Sequence, residues 1–244
     1  MELKGKTALV TGGARRVGRR IAIGLAEKGV NICLHYHTSG TDAKESQKEV
    51  ESLGVQCRLV QADLEKSADI LSMAAALGGG SKTVDILINN ASLFYRTPVE
   101  SLKESDWDRL LSVNLKAPFL LSRTIGVAMS QGKGGKIINI ADWSGWKPYK
   151  DYAPYCTSKG GLITLTKALA TDLAPKVMVN AIAPGPVLLP EDFTEEEKQK
   201  AVKKTLLGRS GTAEDVAYAV IFMLENDFIN GTVLTVDGGR SINV

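Results

Sequence analysis

The stretch TALVTGGARRVGRR, residues 7–20, decides the fold of this chain. It opens with an apolar run of strand length, and a helical pattern then runs from about Val17 to Glu27. Gly12 and Gly18 lie at the turn between the two, where glycine lets the backbone approach a pyrophosphate held by the amides of a helix N-terminus. The stretch therefore predicts the first strand, turn and helix of a dinucleotide-binding sheet.

The rest of the chain repeats this alternation of strand and helix. Further apolar runs of strand length are VNICLHY, VQCRLVQ, VDILINN, GKIINIA, VMVNAIA and TVLTVDG. Alternation at this spacing predicts a parallel sheet with helices on both faces and with ligands at the carboxyl ends of the strands. We expect an α/β protein with a single doubly wound, seven-stranded parallel sheet (Rossmann fold). Residues 1–244 would form one domain, with GGGS at 78–81 as an internal connector.

Composition limits the partners of the protein. The chain has 44% hydrophobic and 23% charged residues, which is ordinary for a globular protein. Because its formal charge is only +3 and no Lys/Arg run is longer than a pair, we do not expect a nucleic-acid partner. No secretory signal pattern opens the chain and no apolar run has the length of a membrane span, so we expect a cytoplasmic protein without a membrane partner. Cys33, Cys57 and Cys156 fit reduced thiols, and no Cys/His spacing predicts a metal site.

The end of the second strand selects the cofactor. An acid there would bind the free ribose hydroxyls of NAD, whereas a ribose phosphate requires cations and hydrogen-bond donors. The strand ends in LHYHTSG, with no acid before Asp42 and with Arg15 predicted across the crevice. The donors in this segment are Tyr36, His37, Thr38 and Ser39. NADP(H) is therefore the predicted cofactor.

Three charged residues near this predicted site have two interpretations each. Arg16 stands where such a loop usually carries a third glycine, next to Arg15. Both arginines either point toward the phosphates and the mouth of the site or simply face solvent. Asp63, beyond the third strand, either binds the adenine amino group or caps the next helix.

Residues 139–159, NIADWSGWKPYKDYAPYCTSK, contain the predicted acid–base pair. Tyr155 and Lys159 are four residues apart at the start of a helical pattern and so share one helix face. A phenol has an ordinary pKa of about 10, and a neighbouring ammonium would lower the pKa of Tyr155 toward the working range. Tyr149 and Tyr152 have no lysine four positions on, so Tyr155 is the candidate acid.

The motifs TGGARRVG, LINNAS, NIAD, YCTSK, NAIAPGP and VDGG occur in the order typical of short-chain dehydrogenases/reductases, and the chain resembles that family over nearly its whole length. The resemblance implies an NADP-dependent oxidoreductase in which Asn114 completes a proton relay through Lys159. It also implies a homotetramer formed through the long fourth and fifth helices and the C-terminal strand. The predicted cofactor-binding residues are Gly12, Arg15, Arg16, Val17, Gly18, Tyr36, His37, Thr38, Ser39, Asp63, Leu64, Asn90, Ala91, Ser92, Tyr155, Lys159, Pro184, Gly185 and Val187.

Two departures from the family pattern concern the substrate. Asp142 stands where most members have a serine that donates to a substrate carbonyl, and an ionised carboxylate has no proton to donate. Asp142 therefore suits a substrate that offers N–H donors or takes a proton from an acid pair. Ser92 stands where most relatives have glycine, and Phe94 follows it.

These departures, with Arg16 and the HYH sequence, resemble pteridine reductases and bacterial dihydromonapterin reductases. The resemblance implies hydride transfer to a C=N bond of a pterin-like heterocycle, with Phe94 stacked on its ring. The implied substrate-binding residues are Arg16, Ser92, Phe94, Asp142 and Tyr155. The implied catalytic residues are Tyr155, Lys159, Asp142 and Asn114.

Two other functions remain open. A carbonyl or 3-oxoacyl-thioester reductase of the same family would need a hydroxyl in place of the missing serine, and Ser144 is the nearby one. A non-catalytic NADP(H)-binding protein would not need Tyr155, Lys159 and Asn114. Thr38 also departs from the pteridine reductases, which often have an arginine directly after HYH.

The segment 186–211 interrupts the alternation of strands and helices. Thr194 and Glu197 have the spacing of a capping box, which predicts a charged helix. This helix is either a substrate lid or an ordinary solvated surface helix. Trp143, Trp146 and Tyr149 either line the pocket or pack in the interior.

Overall fold

The computed structural model describes residues 1–78, 84–189 and 193–243, so most of the predicted connector at 78–81 lies outside the described residues. The described strands form one sheet in which all neighbouring strands are parallel. They are β1 (Thr7–Val10), β2 (Asn31–Tyr36), β3 (Cys57–Gln61), β4 (Ile86–Asn89), β5 (Gly135–Ile140), β6 (Val177–Pro184) and β7 (Val233–Val236). Their order, β3-β2-β1-β4-β5-β6-β7, confirms the predicted doubly wound, seven-stranded parallel sheet.

Helices connect the strands and cover both faces of the sheet. They are α1 (Arg16–Glu27), α2 (Gly40–Ser52), α3 (Ser67–Leu77), α4 (Glu104–Leu111), α5 (Ala117–Gln131), α6 (Ala153–Asp172), α7 (Glu195–Lys203) and α8 (Ala213–Glu225). A π-helical turn, Ser112–Lys116, joins α4 to α5, and a 3-10 turn, Trp143–Gly145, follows β5. None of the described helices is both long enough and apolar enough to cross a membrane.

The core consists of two apolar layers separated by the sheet. On one face, Ile21 and Leu25 of α1 pack with Val220 of α8 against the strands. On the other face, residues of α3, α5 and α6 such as Ile70 and Ile125 form the second layer. Every residue of β5 is buried, as expected for a parallel strand covered on both sides.

The carboxyl ends of the central strands meet where the strand order reverses, between β1 and β4. The side chain of Asn90, just after β4, donates to the Thr11 carbonyl over 2.8 Å, and its backbone N–H donates to Thr11 Oγ1 over 2.9 Å. The loops after β1 and β4 are therefore fixed to each other. In open parallel sheets, ligands bind at such a reversal of strand order.

A close backbone contact positions the loop after β5 against α6. The carbonyl oxygen of Gly145 would lie 3.2 Å from a Cβ at Gly160, and a Cβ at Gly145 would lie 3.0 Å from the Gly160 nitrogen. A side chain at either position would push the 3-10 turn away from the helix. The two glycines thus bring Asp142, at the start of this turn, close to Tyr155 in the first turn of α6.

Candidate active site

The loop between β1 and α1 is held by a buried histidine. The Gly12 N–H donates to His35 Nδ1 over 3.1 Å, and His35 Nε2 lies 3.2 Å from the Ala62 carbonyl oxygen. Burial lowers the pKa of His35 to about 4, so the ring is neutral near pH 7. With Nδ1 accepting, the proton of the neutral ring is on Nε2 and is donated to Ala62.

The first turn of α1 has the properties of an anion-binding site. No side chain caps this helix end, and its first turn contains no acid. A Cβ at Gly18 would lie only 2.1 Å from the Gly12 carbonyl oxygen, so glycine is required for the loop to lie on the helix. Uncapped amides, the positive end of the helix dipole and adjacent arginines fit the pyrophosphate of a dinucleotide.

Arg16 occupies the place of the usual third glycine, with a left-handed backbone, φ 53°. Glycine adopts this conformation readily and other residues rarely do. The Arg16 guanidinium donates to the Leu188 carbonyl, which connects the loop after β1 with the segment after β6. Arg15 lies 3.6 Å from a carboxylate oxygen of Asp42 and is largely exposed.

All nineteen predicted cofactor-binding residues line one cleft of about 470 Å³. Asp63 is among them, and its Oδ1 also accepts a hydrogen bond from the Glu65 N–H over 3.0 Å. Asp63 thus lines the cleft, as the adenine interpretation requires, but it does not cap α3, because the N-cap of that helix is Lys66 and has no side-chain cap hydrogen bond. Sequence reasoning did not assign His35, Glu65 and Arg109 to this cleft.

The predicted catalytic residues lie around the ends of β5 and α6. The Tyr155 hydroxyl donates to Asp142 Oδ2 over 2.9 Å, and Asp142 Oδ1 accepts from the Ser144 N–H over 2.7 Å. The Lys159 ammonium donates to the Ile140 carbonyl over 2.9 Å and lies 5.7 Å from the centre of the Tyr155 ring. The phenol hydroxyl is therefore hydrogen-bonded to a carboxylate, and the ammonium is hydrogen-bonded to a backbone carbonyl.

The expectation that Lys159 lowers the pKa of Tyr155 is not what the structure gives. Burial and the adjacent Asp142 charge raise the pKa of Tyr155 well above its ordinary value. Burial also raises the pKa of Asp142 and lowers the pKa of Lys159 to about 8, although Asp142 opposes the latter effect. Tyr155 is consequently a protonated donor over the working range, and its partner is Asp142.

Asn114 lies in the π-helical turn between α4 and α5, a feature often found at functional sites. Its side chain accepts from the Leu93 N–H over 2.8 Å and donates to the Leu93 carbonyl over 2.9 Å. It also approaches Ser158 Oγ at 3.2 Å. Asn114 thus fixes the segment after β4 relative to α6, close to Lys159.

A second cavity, of about 510 Å³, adjoins the first and shares Arg16, Ser92, Asp142 and Tyr155 with it. All five predicted substrate-binding residues line it. Phe94 stacks on Tyr152 with ring centres 4.5 Å apart and meets the Tyr155 ring at 4.7 Å in an edge-on arrangement. One wall of the cavity is therefore aromatic.

Of the three aromatic residues whose placement was open, Trp143 and Tyr149 line this cavity and Trp146 does not. Trp143 and Tyr149 meet edge-on at 5.1 Å. Sequence reasoning missed Tyr152 and Arg240, which also line the cavity. The segment VDGGRS, at the end of the last strand, was a weak indication of Arg240. Residues that follow a parallel strand lie at the ligand-binding edge of the sheet.

The segment 186–211 borders this cavity, with residues 190–192 outside the described part of the chain. The capping box of Thr194 and Glu197 is confirmed, with both reciprocal hydrogen bonds present at the start of α7. Leu188, Leu189 and Phe193 line the cavity, as do side chains of α7. Arg96, two residues after Phe94, forms an ion pair with Glu197 and so connects α7 to the opposite wall.

Within the described residues, no group of three or more His, Cys, Asp and Glu side chains is placed to hold a metal ion. His37 lies 3.9 Å from Asp63, and His35 is occupied by the Gly12 loop.

The chain belongs to the short-chain dehydrogenase family, whose sequence profile matches residues 6–201. It is therefore an NAD(P)-dependent oxidoreductase, as predicted from the motifs.

Three similar proteins carry the names of different enzymes. The 3-oxoacyl-[acyl-carrier-protein] reductase FabG of Staphylococcus epidermidis is 32% identical, with 96% of this chain and 98% of that protein covered. The 2-dehydro-3-deoxy-D-gluconate 5-dehydrogenase of Bacillus subtilis is 36% identical, with 97% of this chain and 95% of that protein covered. The crystal structure of FolM alternative dihydrofolate reductase 1 from Brucella canis, complexed with NADP, is similar with a TM-score of 0.91 and 33% identity. The similarity covers 99% of this chain and 96% of that chain.

Proposed function

We propose that this protein is an NADPH-dependent reductase that transfers hydride to a C=N bond of a pterin or dihydropterin. The observation that carries the proposal is the hydrogen bond of 2.9 Å from Tyr155 to Asp142 at the junction of the two cavities. A carboxylate at this place accepts N–H donors, which the amino-pyrimidine edge of a pterin supplies and a simple ketone does not. The similarity to an alternative dihydrofolate reductase supports the same substrate class.

NADP(H) fits the cleft better than NAD(H). Tyr36, His37, Thr38 and Ser39 line it after β2 and offer donors to a ribose phosphate. The nearest acid downstream, Asp42, is at 3.6 Å from Arg15 and does not line the cleft. The NADP complex of the similar Brucella protein supports this choice.

When bound, NADPH supplies a hydride to the substrate carbon. The residues of the chain orient the acceptor and provide the proton that balances this transfer. Asp142 accepts hydrogen bonds from the amino-pyrimidine edge, and the aromatic wall around Phe94 holds the flat ring. Tyr155 donates the proton to the ring nitrogen, because its phenol stays protonated in this buried setting.

Lys159 and Asn114 have positioning roles in this proposal. The Lys159 ammonium donates to the carbonyl of Ile140, the last residue of β5, two residues before Asp142. Asn114 fixes the Leu93 backbone and reaches Ser158, next to Lys159 in α6. Together they set the distance between the loop after β5 and the first turns of α6.

A carbonyl or 3-oxoacyl-thioester reductase is the second candidate, favoured by the similarity to FabG. Such a reaction needs a hydroxyl donor in the place of Asp142. Ser144 is fully buried, and it lines neither of the two cavities. Its backbone N–H holds Asp142 instead. The geometry around Asp142 therefore supports the pterin reaction over the carbonyl reaction.

The decisive experiment follows the absorbance of NADPH with the purified protein and two substrates in parallel, a dihydropterin and a short 3-oxoacyl thioester. Oxidation of NADPH with the dihydropterin alone supports the proposal. Oxidation with the thioester alone refutes it in favour of the second candidate. No turnover with either substrate, despite tight NADPH binding, would favour a non-catalytic NADP(H)-binding protein.

The Asp142→Ser variant directly tests the role of the hydrogen bond between Tyr155 and Asp142. We expect kcat/KM for the dihydropterin to fall at least about a hundredfold, because the variant loses a charged acceptor at the reacting edge. We also expect weak reduction of the thioester, since serine restores a donor. The Asp151→Ser variant, an exchange of the same kind in the loop before α6, is the control. Unchanged dihydropterin reduction by Asp142→Ser would remove the reason for assigning specificity to this residue.

Two further expectations remain proposals. The segment 186–211 acts as a lid over the substrate cavity, supported by its contacts through Leu188 and Glu197. The protein assembles as a homotetramer, supported by the half-exposed apolar side chains of Phe119 on α5 and Phe222 on α8.

A further inference from the structure

The substrate cavity has a basic wall that the proposed hydride and proton transfers do not use. Arg240, which follows β7, lines the cavity, as do Lys200 of α7 and Lys204 directly after it. The Arg240 guanidinium carbon lies 4.3 Å from the centre of the Trp143 ring. Trp143 is buried and directly follows Asp142, so the stacked guanidinium is close to the proposed reaction site.

The backbone that carries Arg240 is fixed by Asp237. This carboxylate accepts hydrogen bonds from the Gly239 N–H over 2.9 Å and from the Ser241 N–H over 2.6 Å. The Arg240 N–H itself donates to the Asp237 carbonyl over 3.1 Å. A half-buried guanidinium with a fixed backbone and a stacking partner loses little conformational entropy when it binds a ligand.

Among the described residues, no ion pair neutralises the charge of this wall. No carboxylate oxygen of the described residues lies within 4.0 Å of the charged nitrogens of Arg240, Lys200 or Lys204. The two acids among the described lining residues are already engaged. Asp142 accepts from Tyr155 and Ser144, and Glu197 pairs with Arg96.

The size of the cavity leaves room for a substituent on the substrate. Its volume of about 510 Å³ lies within the range of pockets that hold drug-sized ligands. The basic wall indicates the chemistry of that substituent, since a planar guanidinium binds a carboxylate or phosphate through two parallel hydrogen bonds.

We propose that the natural substrate carries an anionic substituent and that Arg240 is the specificity-determining residue that binds it, assisted by Lys204. This inference rests on the proposed pterin reduction and adds the class of side chain to it. The shared chemistry is that of an anion, which a carboxylate or a phosphate could supply.

The test compares kcat/KM for dihydrobiopterin, which has a neutral side chain, with dihydrofolate, which has carboxylates, and with dihydroneopterin triphosphate. We expect the wild-type protein to prefer one of the anionic substrates. In Arg240→Gln, KM for that substrate should rise about tenfold or more, since a charge-assisted hydrogen bond is lost. In this variant, kcat/KM for dihydrobiopterin should change less than about twofold, because its neutral side chain does not bind the guanidinium. The anionic substrate whose KM rises in Arg240→Gln identifies the substituent as a carboxylate or a phosphate.

Three control variants and one change of salt concentration separate binding of the anion from support of the fold. Lys204→Gln should raise KM for the anionic substrate less than Arg240→Gln does, and Lys203→Gln, on the adjacent residue that does not line the cavity, should have no effect. Arg240→Lys should restore part of the preference. Raised salt should increase KM for the anionic substrate only.

The outcomes distinguish a failure of the anion-binding role of Arg240 from a failure of the proposed pterin reduction. If all dihydropterins are reduced and Arg240→Gln lowers kcat/KM for each of them equally, Arg240 only supports Trp143 and the inference is wrong. The same holds if the variant changes nothing. If no dihydropterin is reduced although NADPH binds, the proposed function itself fails.

Discussion

At the level of single residues, Asp142 changes the character of the acid–base group beside it. Its carboxylate accepts a hydrogen bond from the Tyr155 hydroxyl, and burial together with the Asp142 charge raises the pKa of Tyr155 well above the ordinary value. A phenolate is therefore disfavoured before substrate binds. In the proposed reaction, the protonated phenol next to the cavity is the group that would supply a proton to the ring nitrogen.

Replacing the proton donor tests this description. Tyr155→Phe removes the hydroxyl but keeps the ring that meets Phe94, so we expect turnover of the dihydropterin to fall at least about a hundredfold with NADPH affinity retained. Steady-state kinetics and a fluorescence titration with NADPH measure the two quantities. Tyr218→Phe, at an exposed position of α8, is the matched control. Full activity of Tyr155→Phe would show that another group supplies the proton.

His35 predicts a dependence of stability on pH. Burial lowers its pKa from 6.5 to about 4, so between these values the unfolded chain binds more protons than the folded one. The free energy of unfolding should rise with pH through this window, by at most about 3 kcal/mol, and the gain is lost as pH falls toward 4. Urea unfolding of wild type and His35→Gln from pH 4 to 7 measures this. A slope as steep in the variant as in the wild type would contradict the assignment.

At the level of elements, the loop after β1 and the first turn of α1 form one unit. Gly18→Ala would place a methyl group 2.1 Å from the Gly12 carbonyl oxygen, so loop and helix must separate. We expect NADPH affinity to fall at least about tenfold, because the amides that face the pyrophosphate move apart. Gly40→Ala, in the first turn of α2, is the control, since its methyl group would contact only Tyr36, at 3.8 Å. Equal NADPH affinity in both variants would refute this account.

The elements also show how far the sequence alone can predict this structure. The strands were predictable because each is a short run of Val, Ile and Leu, and parallel strands are apolar on both faces. The π-helical turn at Asn114 was not, since one extra residue in a helical turn hardly alters the hydrophobic period. The effect on the pKa of Tyr155 was also missed, because a spacing of four residues places Lys159 on the same helix face without giving its distance from the hydroxyl.

At the level of the whole molecule, an ion pair ties the centre of the sheet to its outer helix layer. Lys136 of β5 is 2% exposed, and its ammonium lies 2.7 Å from Asp227, which follows α8 and is 64% exposed. The hydrogen bond from Lys136 lowers the pKa of Asp227 to about 2. Removal of the Asp227 carboxylate would leave the buried Lys136 ammonium with backbone carbonyls as its hydrogen-bond acceptors.

Asp227→Asn should therefore lower the free energy of unfolding by about 1–2 kcal/mol at pH 7, a value reduced from that of a fully buried pair because Asp227 is exposed. The folded-state pKa of Asp227 is depressed, so the stabilisation is present above about pH 4 and is lost as pH falls toward 2. Denaturant unfolding at pH 7 and pH 3 measures both effects. Asp172→Asn, at the exposed end of α6, is the control. A pH-independent difference between wild type and Asp227→Asn would contradict the linkage.

The backbone contact between Gly145 and Gly160 has a consequence for substitution at position 142. Because the two chain segments touch through main-chain atoms, this contact holds position 142 near Tyr155 without using the side chain at position 142. On the proposed function, the exchange of a hydroxyl for a carboxylate at this position would alter the substrate chemistry while the cofactor cleft keeps its geometry.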